Sequence, residues 1–151
     1  MSKLVVLAYD PGETTGYAVW GYPEGEMSFG QAPWFDAATW SMTYVEALVE
    51  AYEVQLVSES FVITQRTLRT SRENWSLEFI GILRWLALRY TGNELVLQSP
   101  GNAKSFGSDA RLNALGWRQK GRPHANDAAR HLLLYLVNNG LLDPGQIYIS
   151  G

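Results

Sequence analysis

An α/β fold, one five-stranded mixed sheet with helices on both faces, follows from three observations on the sequence. Strand-like apolar runs crowd the first third of the chain. Helical spacing first appears after residue 36. From there strand-like and helical stretches alternate to the end. The order reads βββαβαβα with a short helical insertion. The opening strands can form an antiparallel meander, whereas the later strands must cross over through helices.

Each element has its own signal. Lys3–Tyr9 is nearly all aliphatic or β-branched, the pattern of a strand buried on both faces, and Asp10-Pro11-Gly12 breaks it. Gly16–Trp20 and Met27–Gln31 are strand-like, with the turn formers Pro23 and Gly25 between them. Ala37–Tyr52 has helical spacing, with Trp40, Tyr44, Ala47, Leu48 and Ala51 on one side and Asp36 as the expected N-cap. Val54–Glu59 is a short apolar strand that ends in an acid. Phe61–Ser71 is polar and carries Arg66 and Arg69, and Arg72–Tyr90 reads as one long helix. Glu94–Leu97 is the last expected strand. Pro100–Phe106 and Asp109–Leu115 read as short helices capped by Ser99 and by Ser108 or Asp109. Ala125–Asn138 is a strong helix with Gly140 as its stop signal. With no repeat, low-complexity stretch or Pro/Gly-rich linker, residues 1–151 are expected to form a single domain.

Composition narrows the chemistry. At 46% apolar and 18% charged, the 151 residues can build a core without covalent staples. No cysteine is present, which removes disulfides, thiolate catalysis, zinc fingers and iron–sulfur clusters together. No apolar run approaches the ~18 residues of a membrane span, and the N-terminus lacks a basic segment followed by an apolar one. A cytoplasmic protein with no membrane partner is the expectation.

The net charge of −3 hides an asymmetry. Up to Ser60 there is one base, Lys3, against nine acids; from Phe61 onward there are eleven bases and six acids. The densest stretch, Gln98–His124, holds Lys104, Arg111, Arg118, Lys120 and Arg122 against Asp109 alone. Folded onto one face, it would give a local positive surface suited to a polyanion; scattered over loops, it would be ordinary solvated charge.

Two acids close strands. Asp10 follows the first strand and Glu59 ends the fourth, and ligands of open α/β sheets bind beyond such carboxyl ends. Side by side, two carboxylates repel and raise each other's pKa; a divalent cation removes the conflict, and hard oxygen donors suit Mg²⁺ or Mn²⁺. Taken singly, Asp10 is equally a turn former and Glu59 a surface charge. His124-Ala125-Asn126-Asp127 opens the last helix. Positions i and i+3 lie about 60° apart, so His124 and Asp127 face one way and could complete a metal site, or could be a helix cap and a first-turn acid. His131 reads as a supporting or core histidine.

The strings LVVLAYDPGETTGYAVW, LVSESF and HANDAARH together resemble the RuvC-type crossover junction endodeoxyribonucleases of the RNase H-like superfamily. The resemblance covers nearly the whole chain, and the short length is similar to phage-encoded members, for which the location would be the host cytoplasm. It rests on the combination of Asp-Pro-Gly with Thr15-Gly16, an acid closing the fourth strand, and a last helix opening with two metal-binding side chains three apart. It implies that Asp10, Glu59, His124 and Asp127 are both catalytic and metal-binding, with two Mg²⁺ or Mn²⁺ ions per site. It implies hydrolysis of a DNA phosphodiester leaving a 5′-phosphate, with paired incisions that resolve Holliday junctions and related branched DNA. The overall acidity departs from the more basic balance of many cellular members.

The same resemblance assigns DNA contacts to the loop carrying Phe61, Arg66, Arg69 and Arg72, and to Lys104; Arg118, Lys120 and Arg122 join them from the basic stretch. An aromatic there can stack on an unpaired base while bases hold phosphates. Paired incisions need two active sites. On the Arg72–Tyr90 helix, Leu77, Gly81, Trp85 and Leu88 lie off the main apolar face, a patch that would meet itself in a homodimer or be covered by another helix. Three alternatives stay open at this level. One is a related ribonuclease acting on structured RNA. Another is a non-catalytic branched-DNA-binding module. The third is an ATPase, since Asp10-Pro11-Gly12 with Thr14-Thr15-Gly16 also resembles the first phosphate loop of the actin and sugar-kinase ATPases, which need two such domains.

Overall fold

The computed structural model describes residues 3–66 and 74–147. Strands β1 (Leu4–Asp10), β2 (Thr14–Tyr22) and β3 (Glu26–Pro33) form the expected meander, followed by helix α1 (Trp34–Leu48) and strand β4 (Glu53–Glu59). Helix α2 (Trp75–Leu86) runs into a π-helical turn over Ala87–Thr91 and leads to β5 (Val96–Gln98). Helices α3 (Pro100–Phe106), α4 (Asp109–Leu115) and α5 (Pro123–Asn138) close the order, with a 3₁₀ turn at Pro144–Ile147. The sheet order is β3-β2-β1-β4-β5. β1 pairs antiparallel with β2 and parallel with β4, and β4 pairs parallel with β5.

Strand alternation divides the molecule into two layers. Val5, Leu7 and Tyr9 of β1, with Val54 and Leu56 of β4, pack against α1 and α2 in a core that includes Val45, Phe79, Leu83 and Leu86. Val6 and Ala8 of β1, Ala18 and Trp20 of β2 and Val57 of β4 pack on the opposite face against Ala128, Leu132 and Leu136 of α5. By the same period Asp10 and Glu59 point to the α5 side. The register pairs Tyr9 with Ser58, so the next step along both strands sets Asp10 beside Glu59.

The structure corrects several boundaries. Asp36 does not cap α1: the helix starts at Trp34 and Asp36 lies in its first turn. Pro33 ends β3 directly into the helix, and the Trp34 indole N–H donates to the Trp75 carbonyl at 2.9 Å, so a long-range contact fixes the start. Ala47 and Ala51 are exposed rather than on the buried side, which is carried by Ala37, Ala38, Ser41, Val45 and Leu48. The α-helix expected to reach Tyr90 is α-helical only to Leu86, then widens into the π turn that Gly92 ends with φ +70°. Its expected start at Arg72 lies outside the described residues. β5 begins at Val96 rather than Glu94, because the Asn93 amide donates to the Val54 carbonyl at 3.0 Å and Gln55 donates to the Glu94 carbonyl at 2.9 Å; side chains do the pairing there. The caps of α3 and α4 are as expected: Ser99 accepts from the Asn102 amide and Ser108 from the Arg111 amide. Among the described residues no helix is long and apolar enough to cross a membrane.

Candidate functional site

The site is assembled where α5 meets the sheet. Gly16 makes this possible. A Cβ there would lie 1.8 Å from the carbonyl oxygen of His124, so only a bare backbone lets the first turn of α5 approach β2. Gln31 of β3, register partner of Gly16, accepts from the backbone amides of His124 at 3.1 Å and Ala125 at 3.3 Å. It satisfies two donors that the helix start leaves unpaired, which Arg122, the preceding residue, does not cap with its side chain. Pro123 opens the helix with its fixed φ. Asn126, buried, both donates to and accepts from the Gln119 backbone and so holds the loop before α5. On the other side Thr15 donates to the Gly12 carbonyl, and Ser76 of α2 donates to the Pro11 carbonyl at 2.8 Å, which pins the Asp10-Pro11-Gly12 turn.

Inside this frame Asp10 meets His124 and Glu59, and the charge of Asp127 is felt at Asp10. Asp10 is buried, and its Oδ2 lies 2.9 Å from Nδ1 of His124. Burial first, then a hydrogen bond with Glu59 and the negative charges of Glu59 and Asp127, push the Asp10 carboxyl up to about 9; Lys104 acts in the opposite sense. Burial also works on Glu59, but hydrogen bonds from His131 and Asp10, with the charges of His131 and Lys104, outweigh it and hold Glu59 below the usual carboxylate value. The two carboxyls are thus pushed in opposite directions, Asp10 toward its protonated form and Glu59 toward its charged one. An Nδ1–H tautomer of His124 donates to Asp10 and leaves its Nε2 free of that bond.

Asp127 accepts from Nη1 of Arg130 at 2.8 Å. His131 is fully buried between Oε1 of Gln98 at 2.9 Å and Oε1 of Glu59 at 3.3 Å, which makes it the supporting histidine expected from its place one repeat beyond His124. Among the described residues no group of three or more His, Asp or Glu side chains is placed to hold a cation as the side chains stand. Each acid is instead held by a neighbour. Glu59, Asp127 and His124 nonetheless gather around the buried Asp10, and carboxylates with an imidazole are donors whose chemistry suits a hard divalent ion, since a cation relieves such crowding.

The basic residues differ in what they touch. The charge of Lys104, on α3, is felt by both Asp10 and Glu59. Arg118 lies 3.6 Å from Asp109, Arg122 donates to the Gln119 side chain at 3.3 Å, and Lys120 is exposed between them. Phe61 is half-buried against the α1–α2 core, Val62 and Ile63 beyond it are exposed, and Arg66 is exposed. Arg69 and Arg72 lie outside the described residues. On α2 and its π turn, Leu77 is half-buried, Gly81 exposed, Trp85 49% exposed and Leu88 87% exposed.

Sequence reasoning missed Gln31, Gln98 and Arg130. Arg130 carried a usable signal, its i+3 spacing from Asp127; Gln31 and Gln98 carried none, because their partners lie far along the chain. No protein-family model and no curated protein matches this chain.

Proposed function

We propose that the protein is a divalent-metal-dependent, structure-selective DNA endonuclease that resolves Holliday junctions and related branched DNA by paired incisions, acting as a homodimer. The observation that carries this reading is the buried Asp10 carboxyl, pushed up to about 9 by burial and by Glu59 and Asp127, with His124 against it. Acids crowded in this way at the carboxyl ends of β1 and β4 cost stability and need a use.

Asp10, Glu59, Asp127 and His124 would hold Mg²⁺ or Mn²⁺. When bound, such ions lower the pKa of a water and stabilise charge on a scissile phosphate. The chain does the rest. Lys104 supplies fixed positive charge beside the carboxylates, and Arg118, Lys120 and Arg122 draw in and register the phosphate backbone without reading sequence. Phe61 follows the acid-bearing end of β4, where a ring can stack on an unpaired base, and Arg66 comes further along the chain. Trp85 and Leu88 give each protomer an apolar patch that can meet its own copy across a two-fold axis, setting two sites to cut two strands.

The test is cleavage of four-way, Y-shaped and linear duplex DNA, and of structured RNA, with Mg²⁺ or Mn²⁺, beside Asp10→Asn and Glu59→Gln. Branched DNA should be cut by the parent, at least equally well with Mn²⁺ because of the imidazole ligand, and bound but not cut by the variants. Cleavage of RNA alone, or binding of branched DNA with no metal-dependent cutting, would replace this reading.

A further inference from the structure

We infer that Arg130 is a positioning residue: it aims the Asp127 carboxylate for cation binding and locks it to the basic segment 99–122. The inference rests on the metal-site reading above. Arg130 lies one helical turn beyond Asp127, and its side chain is only 13% exposed. Its planar guanidinium spreads over three partners on two stretches of chain. Nη1 donates to Oδ1 of Asp127 at 2.8 Å, Nε donates to the Gly107 carbonyl at 2.7 Å, and Nη2 donates to Oδ1 of Asp109. Gly107 joins α3 to α4, and Asp109 is the first residue of α4.

The fit is close on both sides. A Cβ on Gly107 would come within 2.9 Å of both Cβ and Cγ of Arg130, so the arginine stem runs along bare backbone. Asp109 in turn faces Nε of Arg118 at 3.6 Å. A line of alternating charge therefore runs Asp127, Arg130, Asp109, Arg118, from the metal-site acid to the segment that carries Lys104, Arg118, Lys120 and Arg122. Fixing one oxygen of Asp127 in a rigid fork also fixes the direction of the other. An isolated i,i+3 ion pair contributes little and fixes little; a three-armed, mostly buried guanidinium is a different device, and a lysine cannot replace it because an ammonium is a flexible point charge.

The experiment titrates the full chain with Mn²⁺ alone, reading free Mn²⁺ by electron paramagnetic resonance, and assays four-way-junction cleavage in parallel. Arg130→Lys keeps the charge and removes the fork. It should raise the Mn²⁺ Kd and lower kcat each by about tenfold, the scale of lost supporting contacts at metal sites. Asp109→Asn, which removes the charge of the far arm without touching Asp127, should shift both the same way by less. The double variant should be no worse than Arg130→Lys, since both break one unit. Parental Mn²⁺ Kd and kcat in a folded Arg130→Lys would overturn the assignment; if that variant does not fold, parental values in Asp109→Asn overturn it. Weakened Mn²⁺ binding in Arg130→Lys with no DNA cut by the parent would keep the positioning role and remove the nuclease. A parent that cuts DNA while Arg130→Lys matches it would do the reverse, and a parent that binds no Mn²⁺ removes both.

Discussion

The two faces of the sheet are built from the same strands yet serve opposite ends. Toward α1 and α2, β1 offers Val5, Leu7 and Tyr9, and the core there is almost wholly hydrocarbon and aromatic. The polar atom it buries is settled internally: the Tyr9 hydroxyl donates to Ser41 at 2.9 Å, which donates to the Ala37 carbonyl. Toward α5, the alternate residues Val6, Ala8 and Asp10 lead from hydrocarbon into a cluster of acids, histidines and an arginine. One face is packed hydrocarbon, and the other gathers titratable groups whose crowding costs stability. Two residues of one strand, Tyr9 and Asp10, sit on opposite sides of that divide.

The contrast can be broken most sharply at Asp10. Asp10→Asn should cut the proposed cleavage by on the order of 10³-fold or more, about 4 kcal/mol of transition-state stabilisation, yet raise the melting temperature of the metal-free protein at neutral pH. The sign follows from the raised pKa. A carboxyl that titrates near 9 when folded and near its ordinary 3.8 when unfolded favours the folded state fully below the lower value and loses that contribution as pH rises through the upper one. Metal-free parent should therefore lose stability as pH rises from about 4 toward about 9, and the Asn variant should show a flatter curve by thermal denaturation. A parent curve as flat as the variant's would count against the crowded-acid account.

On the other face, Phe79→Ala removes a fully buried ring that packs against Tyr9 and Trp34. Chemical denaturation should show a loss of about 3–5 kcal/mol, with the folded fraction keeping its Mn²⁺ affinity. Loss of cation binding at full folding would mean the two faces are not separable.

Gly16→Ala tests the seam between them. The added methyl must displace the His124 backbone, so α5 shifts relative to β2. Cleavage should fall by about 10²-fold, the penalty of an ångström-scale misplacement, out of proportion to any change in melting temperature. Smallest is Leu88→Asp: at 87% exposed, it should leave unfolding free energy within about 0.5 kcal/mol of the parent. Light scattering should nonetheless show a shift from dimer toward monomer. A parent that is already monomeric would end the homodimer proposal.

Much of this was readable along the chain, and the reasons are local. Asp10 and Glu59 stood out because each terminates an apolar run, and strand period alone sends both to one face. The Ser99 and Ser108 caps were legible because a cap is a contact of three residues' reach. Asp36 misled for the same reason: its local capping signal lost to Trp34, whose indole is held by a residue 41 positions away. The end of the long helix misled because a π turn has nearly the hydrophobic spacing of an α turn, and only packing on the sheet decides between them.

The sequence by itself determined the strand and helix order, the two layers and the acids that close β1 and β4, because alternation, helical spacing and turn chemistry act over a few residues. Tertiary structure decided the rest: that Gly16 admits α5, that Gln31 caps it from another strand, that His131 holds Glu59, and that Arg130 bridges Asp127 to α4. Those are contacts between groups far apart along the chain, 94 residues for Gln31 and Ala125, and nothing short of closing the chain on itself chooses their partners.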